Sequence, residues 1–354
     1  MNRIHKQASL CFDDILLVPQ YSEVESRHSI DINVTDFRGA PINIGGRTMQ
    51  LPIFASPMDT VVDIRSAQIM VSSGVCPILH RYCTIEEQVT TYLEVASVPG
   101  APIAAAIGAS GDFEDRACAL YDAGVRILCL DVAHGHHVLV KDALKTLRDI
   151  FGDDIHLMAG NVATLQGFED LISWGANFVR CGVGGGAVCS TRIVTGHGVP
   201  TMQTILDCAE TSKPLGYIVA DGGIRTSGDI VKAFAGGADF VMLGSMLACH
   251  TESPGEERAG YREVYKNYRG MASKSAQYDW RGEVSVAEGV NSWHKVKGNL
   301  GETIGEIVAG IKSGLSYSGV ASLSDFMAHV EIRRVSPNVV NENQPHAIGA
   351  EFVQ

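Results

Sequence analysis

The sequence predicts an α/β fold, a (β/α)8 barrel, on three observations. Eight short apolar runs alternate with amphipathic segments along the 354 residues. These runs are continuously apolar, as expected of parallel strands that are covered on both faces. A glycine-containing turn precedes four of the runs, and such turns recur at intervals of roughly 50–60 residues, the length of two βα units.

The eight runs are the predicted strands of the barrel. In chain order they are Leu51–Met58, Gly74–Arg81, Pro102–Gly108, Val125–Asp131, His156–Val162, Asn177–Val183, Gly216–Asp221 and Asp239–Gly244. A doubly wound open sheet, which carries similar runs in other numbers, is the alternative. Polar residues gather at the carboxyl ends of the runs, namely Asp59, Asp131, Asn161, Cys189, Asp221 and Ser245. In a (β/α)8, or TIM, barrel all these ends face one mouth, where active sites lie, so the clustering favours the barrel.

The connections between the runs predict a single domain over residues 1–354. Residues 82–101 have room for one helix. Residues 251–298 form a long polar connection of the kind that serves as an active-site flap. Glu302–Gly314 has isoleucine and valine along one face and is predicted to be the closing helix. Residues 335–354 are predicted to be an irregular tail.

Composition limits the function. Hydrophobic residues make up 45% of the chain and charged residues 19%, which excludes a globally disordered protein. A net charge of −12 argues against a nucleic-acid partner, because such a partner needs a basic face. No apolar run approaches the length of a membrane span, so no membrane partner is expected. The nine cysteines include no C-x-x-C pair, which favours a cytoplasmic protein with reduced thiols.

A glycine-rich turn over residues 182–192 is the most informative feature of the chain. Four glycines, at 182 and 184–186, end an apolar run and are followed by Cys189. Glycine lets the backbone turn sharply and approach a ligand, leaving amide groups free to hold an anion. A thiol at such a turn is placed to attack an electrophilic carbon, and Thr191 is placed to relay a proton. The alternative is an ordinary buried thiol beside a turn.

Two further turns follow the seventh and eighth runs, where barrels place phosphate sites. The candidate phosphate ligands are Gly222, Gly223, Gly244 and Ser245. Asp221, at the end of the seventh run, would accept hydrogen bonds from ribose hydroxyls. Tyr268 would reach the same phosphate, and the backbone of Gly270 and Met271 would read the edge of a base. Glycines that only permit close packing, and an unremarkable surface loop, are the structural alternatives.

A cluster of Asp131, His134, His136 and His137 follows the fourth run. Metal binding is one interpretation, but histidines this close in one loop rarely complete a site without a second cluster. The other is that Asp131 holds an amide or ribose of a cofactor. Glu288, on a later loop, is by its residue type alone more typical of a solvated carboxylate than of a catalytic one.

Taken together, these motifs resemble the IMP dehydrogenase and GMP reductase family from about residue 10 to 330. The matching segments are Ser56–Val61, Ala159–Thr164, Cys189–Gly196, Ala220–Arg225 and Tyr268–Met271. The resemblance implies a TIM barrel, a homotetramer, and a purine nucleotide that meets a nicotinamide cofactor at the barrel mouth.

The resemblance also implies residue roles. Cys189 would add to purine C2 and form a covalent thioimidate, while Thr191 and Glu288 would manage the proton on ammonia or water. Met58 and the candidate ligands named above would bind the nucleotide. The nicotinamide side would comprise Asp131, Asn161, Arg180 and Gly182. Backbone carbonyls of Gly184, Gly186 and Cys189 would hold a monovalent cation such as K⁺.

Two reactions fit this family. GMP reductase uses NADPH to convert GMP to IMP and ammonia, and IMP dehydrogenase uses NAD and water to convert IMP to XMP. The sequence favours the reductase, because residues 82–101 leave no room for regulatory CBS modules. The flap is also short, with only residues 272–287 between Met271 and Glu288, and its Tyr278 and Arg281 are not adjacent. Conversely, Arg192–Thr195 is similar to the dehydrogenases.

One departure from the family pattern concerns both reactions. Gly185 and Ala187 stand where the family has a proline and a serine, and that serine gives a hydroxyl to the phosphate. Losing one charge-assisted hydrogen bond costs about 1.5–3 kcal/mol. A non-catalytic nucleotide-binding barrel is the third hypothesis, and the joint presence of Cys189, Thr191 and Glu288 argues against it.

Overall fold

The computed structural model describes residues 7–36, 39–211 and 216–344. Its strands are β1 (Ile15–Leu17), β2 (Asn43–Ile44), β3 (Arg47–Thr48), β4 (Ile53–Ala55), β5 (Cys76–Leu79), β6 (Ala104–Ile107), β7 (Ile127–Asp131), β8 (His156–Val162), β9 (Phe178–Cys181), β10 (Tyr217–Asp221), β11 (Phe240–Leu243), β12 (Glu257–Ala259), β13 (Val264–Arg269), β14 (Asn291–Lys295) and β15 (Ile332–Arg334).

The α-helices alternate with these strands through the first three quarters of the chain. They are α1 (Ile64–Ser72), α2 (Ile85–Ala96), α3 (Phe113–Ala123), α4 (Val138–Phe151), α5 (Leu165–Ser173), α6 (Thr191–Thr195), α7 (Thr201–Ala209), α8 (Ser227–Ala235), α9 (Lys274–Arg281), α10 (Leu300–Tyr317), α11 (Leu323–His329) and α12 (Val339–Glu342).

Eight parallel strands close into a barrel, in the order β10-β11-β4-β5-β6-β7-β8-β9. Each of the eight predicted runs contains one of these strands, so the predicted barrel is confirmed. The doubly wound alternative is wrong, because β11 pairs in parallel with β4 and leaves no open edge. The single helix expected within residues 82–101 is α2.

The barrel interior is filled by aromatic side chains rather than by a channel. Phe54, Phe178 and Phe240 are fully buried, and their ring centroids lie 5.2–5.6 Å apart. Below them the β2–β3 hairpin buries Ile44 and covers the amino-terminal end of the barrel. The opposite end, where the strands reach their carboxyl termini, is therefore the open mouth.

Each outer helix buries one apolar face against the strands. In α4 that face comprises Val140, Ala143, Leu144 and Leu147, spaced as a helix requires. The predicted closing helix is also confirmed. It is α10, whose first amide, that of Leu300, donates to buried Glu252 at 3.0 Å.

The polar connection 251–298 has more regular structure than its composition indicates. Its strands β12, β13 and β14 form a separate antiparallel sheet, and α9 lies between β13 and β14. The predicted tail, 335–354, is described only to residue 344 and contains the single-turn helix α12. The rest of the tail lies outside the described residues. In the described part of the chain, no helix is long and apolar enough to cross a bilayer.

Asp239, at the start of β11, gives the fold a measurable pH dependence. Burial raises the pKa of its carboxyl to about 7, from an ordinary 3.8, although the amide of Ile218 donates to it at 2.7 Å. The native state therefore binds more protons than the unfolded state between these values, and the free energy of unfolding falls as pH rises through this range.

We expect Asp239→Asn to abolish this decrease in the free energy of unfolding. Denaturant unfolding at about pH 8 should show the variant about 2–4 kcal/mol more stable than the wild type, with little difference near pH 4.

Candidate active site

The barrel mouth holds a cavity of about 390 Å³. Every residue predicted to act in catalysis, substrate binding, cofactor binding or cation binding lines it. These are Met58, Asp131, Asn161, Arg180, Gly182, Gly184, Gly186, Cys189, Thr191, Asp221, Gly222, Gly223, Gly244, Ser245, Tyr268, Gly270, Met271 and Glu288. One site is thus formed by six barrel strands, with the loops that follow them, and by the flap region.

Cys189 is half-buried in the turn between β9 and α6. Its amide donates to the carbonyl of Gly186 at 3.1 Å, and its thiol lies 3.1 Å from the hydroxyl of Thr191. Gly184 has a φ of +79°, and a Cβ there would overlap the side chain of Arg192. The glycine is therefore required by both backbone angle and space, which explains the composition of the turn.

Backbone pairing brings Glu288 to the cavity that the thiol of Cys189 lines. The amide of Ser190 donates to the carbonyl of Glu288 at 2.8 Å, and the amide of Val290 donates to that of Val188 at 2.9 Å. Cys189 and Gly289 thus form an antiparallel bridge. This pairing, between segments almost a hundred residues apart, places a carboxylate and a thiol at the same cavity.

The predicted phosphate loops present free amides. Among the described residues, the amides of Gly223, Ile224, Ser245 and Met246 donate no hydrogen bond, and neither does the hydroxyl of Ser245. Consecutive free amides on a turn form an anion-binding concavity. Two such turns, after β10 and β11, face the same cavity.

Tyr268 closes the cavity above these loops. Its ring is buried, and burial raises the pKa of its hydroxyl well above the usual range, so it remains a neutral donor. A Cβ at Gly244 would lie 2.8 Å from this hydroxyl, so a side chain there would displace the hydroxyl. The hydroxyl is 3.8 Å from the sulfur of Met58 and has no closer partner among the described residues.

A buried ionic network forms the opposite wall of the cavity. Arg180 donates to Asp131 at 2.6 Å and to Asp221 at 3.0 Å. Asn161 also donates to Asp221, at 2.8 Å, and to the carbonyl of Gly182 at 2.8 Å. Both contacts to Asp221 end on Oδ2, which leaves Oδ1 for a ligand hydroxyl.

The charges of this network stabilise one another. Burial alone would raise the pKa of Asp131, but Arg180, Arg81 and the hydroxyl of Tyr82 outweigh it, and the pKa of this carboxyl is lowered. Burial likewise opposes the charge of Arg180, yet Asp221 and Asp131 raise its pKa above the ordinary value. Asp131 and Arg180 therefore keep their charges at neutral pH.

Sequence reasoning missed the residues that join the flap to this wall. Tyr82 donates to Asp131 at 3.2 Å, and its ring centroid lies 5.2 Å from that of Trp280 in α9. Arg81 lies over both rings, and Arg281 stacks on Trp280 at 4.0 Å. A signal was present, because Arg81 ends the second predicted strand and so belongs at the mouth.

Arg269 ties the flap to the loop after β4. It donates to Asp59 at 3.1 Å through Nε and to Asp279 of α9 at 2.5 Å through a terminal nitrogen. One guanidinium therefore links α9 to Asp59, and Asp59 directly follows Met58, which lines the cavity.

The histidines that follow Asp131 do not converge. His136 bonds Asp170 at 2.9 Å, and the ring of His137 accepts from the amide of Leu139 at 3.1 Å. The described residues contain no group of three or more side chains suited to a metal ion. Asp131 instead belongs to the ionic network.

Comparison with known proteins gives a consistent result. The sequence model of the IMP dehydrogenase / GMP reductase domain matches residues 9–346. An inosine-5'-monophosphate dehydrogenase of Nitrosopumilus maritimus is 30% identical over 477 residues, covering 96% of this chain and 98% of that protein. Proteins of the same name from Halalkalibacterium halodurans and Staphylococcus aureus are 40% and 41% identical over 255 and 257 residues.

The last two matches cover 70% of this chain and 52% of each relative, so the matched part spans about half of their length. The longer alignment has 477 residues against a chain of 354, so more than a hundred of its positions have no counterpart in this chain.

Proposed function

Because this chain belongs to the IMP dehydrogenase / GMP reductase family, we propose that it oxidises IMP to XMP with NAD through a covalent bond to Cys189. The observation that carries the proposal is the half-buried thiol of Cys189, which lies beside Thr191 and Glu288 at a cavity with two free-amide turns. The direction of the reaction follows the relatives, which are named IMP dehydrogenases. The sequence-based preference for the reductase is not confirmed by them.

The proposed reaction is balanced in two steps. The thiol of Cys189 releases its proton, its sulfur adds to C2 of the hypoxanthine ring, and the hydrogen on C2 leaves as hydride, which gives a thioimidate. The nicotinamide cofactor supplies the hydride acceptor when bound. Water then adds to the same carbon, the C–S bond breaks, and XMP and the free thiol result. Thr191 and Glu288 take the proton that the water loses.

The remaining residues bind and orient the substrate. The amides of Gly223, Ile224, Ser245 and Met246 and the hydroxyl of Tyr268 hold the phosphate. Asp221 accepts hydrogen bonds from the ribose, and the backbone of Gly270 and Met271 reads the base. Asp131, Asn161, Arg180 and Gly182 lie on the nicotinamide side, where the carboxylates of the network are already charged and oriented.

GMP reductase is the second candidate, and the flap favours it. The flap helix α9 has only eight residues, and α2 fills the connection between β5 and β6 with no room for a further module. In this reaction the same thiol would displace the 2-amino group of GMP as ammonia, C2 would take up hydride, which bound NADPH would supply, and the C–S bond would break to give IMP. Cys189, Thr191 and Glu288 keep their roles.

A paired assay tests the direction. The purified chain is given IMP with NAD in one cell and GMP with NADPH in another, and the absorbance of the reduced nicotinamide is followed. We expect an increase in the first cell and no change in the second. A decrease in the second cell, with none of the expected increase, would establish the reductase instead.

Further parts of the proposal concern assembly, cation and location. The family resemblance supports a homotetramer and a K⁺ ion on the carbonyls of Gly184, Gly186 and Cys189. The carbonyl of Gly186 accepts one bond, from Cys189, and keeps its second lone pair. All nine cysteines are free thiols, which fits a cytoplasmic protein.

Ala187 offers a gain-of-affinity prediction. It is exposed at the cavity in the position where the family has a phosphate-binding serine. We expect Ala187→Ser to lower the KM for the nucleotide about tenfold with little change in kcat, because one charge-assisted hydrogen bond is added. Ala187→Val is the matched control and should not lower KM. An unchanged KM in the serine variant would show that the phosphate does not reach this position.

A further inference from the structure

Among the residues that the structure describes, none places a cation at the phosphate end of the cavity wall. The charged residues that line the cavity are Arg81, Asp131, Arg180, Asp221, Arg281 and Glu288. Arg180 is neutralised by two aspartates, while Arg81 and Arg281 stack with Trp280 on the flap side. The turns at Gly223 and Ser245 contribute amides and hydroxyls only. A phosphate dianion there would meet hydrogen-bond donors but no positive charge from the cavity wall.

Lys297 lies directly behind one of these turns. Its ammonium donates to the carbonyl oxygen of Ser245. Its backbone is fixed in turn, because its amide donates to the carbonyl of Cys249 at 2.9 Å and the amide of Thr251 donates to that of Gly298 at 2.8 Å. Backbone pairing therefore fixes the start of this exposed side chain, and the bond to Ser245 fixes its ammonium end.

This ammonium has no acidic partner in the described part of the chain. Burial lowers the pKa of Lys297, and the only group that opposes this is the thiol of Cys249. Two other cations near the site differ from it. Arg225, beyond Gly223, is paired with Asp13 and Asp229, and Lys295 is paired with Glu263 at 2.6 Å.

We infer that Lys297 is a positioning residue for the 5'-phosphate of the nucleotide. Its ammonium fixes the Ser245 turn, whose amides face the cavity, and supplies the positive charge that the cavity wall lacks. The phosphate thus acts as the counter-ion of Lys297, and the two groups interact indirectly through the Ser245 turn. The inference rests on the proposed function, since it takes the ligand of this end to be a nucleotide phosphate.

A consequence is selectivity for nucleotides over nucleosides. The contribution of Lys297 depends on the charge of the ligand, so it applies to IMP and is absent for inosine, which shares the base and ribose. A lysine that stabilised only the overall fold would affect both ligands equally. The two ligands therefore separate a role at the phosphate end from a general structural one.

Calorimetric titration of IMP and inosine into four proteins tests the inference. They are the wild type, Lys297→Met, Lys297→Arg and the matched surface control Lys295→Met. We expect Lys297→Met to bind IMP about five- to tenfold more weakly, with inosine unchanged, since one partly screened charge is lost. Lys297→Arg should restore most of the affinity for IMP, and Lys295→Met should match the wild type.

Two results would overturn the inference: unchanged IMP binding by Lys297→Met, or an equal loss for IMP and inosine. Failure of the proposed function gives a different pattern. In that case the wild type itself binds neither IMP nor GMP, whatever residue stands at position 297.

Discussion

Replacing Cys189 by alanine is expected to lower kcat by at least about 10⁴-fold, because no other thiol among the described residues lines the cavity to carry the covalent step. Cys189 is the only cysteine among the residues that line the mouth cavity in the described part of the chain. The affinity for IMP should remain within about threefold of the wild type, since the phosphate and ribose contacts are untouched. Steady-state kinetics and calorimetric titration measure the two quantities separately.

A second cysteine provides the control for this prediction. Cys118 is half-buried on α3, away from the cavity, and Cys118→Ala should retain full activity. If Cys189→Ala turned over at the wild-type rate, the thiol would not be the nucleophile. A variant that lost IMP binding together with activity would instead assign Cys189 a structural role in the turn.

Replacing Arg180 by methionine should destabilise the protein by about 3–5 kcal/mol, because Asp131 and Asp221 would be left as unpaired, partly buried charges. Both side chains are largely buried, at 15% and 13% exposure. Nucleotide binding should also weaken, since Asp221 would keep only the hydrogen bond from Asn161. Denaturant unfolding measures the first effect, and titration with IMP measures the second.

Arg225 is the matched control, since it also pairs with two aspartates, Asp13 and Asp229, but its side chain is 56% exposed. Arg225→Met should therefore cost less than Arg180→Met, because Asp13 is 43% exposed and the buried Asp229 still accepts a hydrogen bond from the amide of Arg225. Adding Asp131→Asn to Arg180→Met should recover part of the lost stability by removing one uncompensated charge. Equal losses for Arg180→Met and Arg225→Met would show that burial does not govern the Arg180 network.

The barrel was predictable because its strands are buried on both faces. The run His156–Val162, whose centre Leu157–Ala159 is continuously apolar, coincides with β8 residue for residue. The sheet formed by β12, β13 and β14 gave no such signal. Its strand β12 is fully exposed, and β13 carries Lys266 and Arg269, so no apolar period marks either of them.

The site was predictable to the extent that a residue ends a barrel strand. Asp131, Asp221 and Ser245 could be placed at the mouth because carboxyl ends of parallel strands converge there. Glu288 could not be placed in this way, since its position depends on pairing between the flap region and the Cys189 turn. Only the family resemblance pointed to it, and the structure shows the pairing.

Trp280 and Lys297 could not be predicted either, because their positions also depend on contacts between distant segments. Trp280 lies on a short exposed helix, where an aromatic residue is by default a surface side chain. Its role in packing against Tyr82 depends on how α9 docks, and side-chain pattern alone does not encode docking. Lys297 is similar, because its contact with Ser245 spans 52 positions of sequence.

The most direct test of the covalent mechanism is to trap the bond between Cys189 and the purine. The enzyme is quenched with acid during turnover, with IMP and NAD or with GMP and NADPH, and its intact mass and peptides are then measured. We expect a fraction of the protein to be heavier by the mass of one nucleotide, with the added mass on the peptide that contains Cys189. Sustained turnover with unmodified protein, or with the nucleotide on another residue, would contradict it.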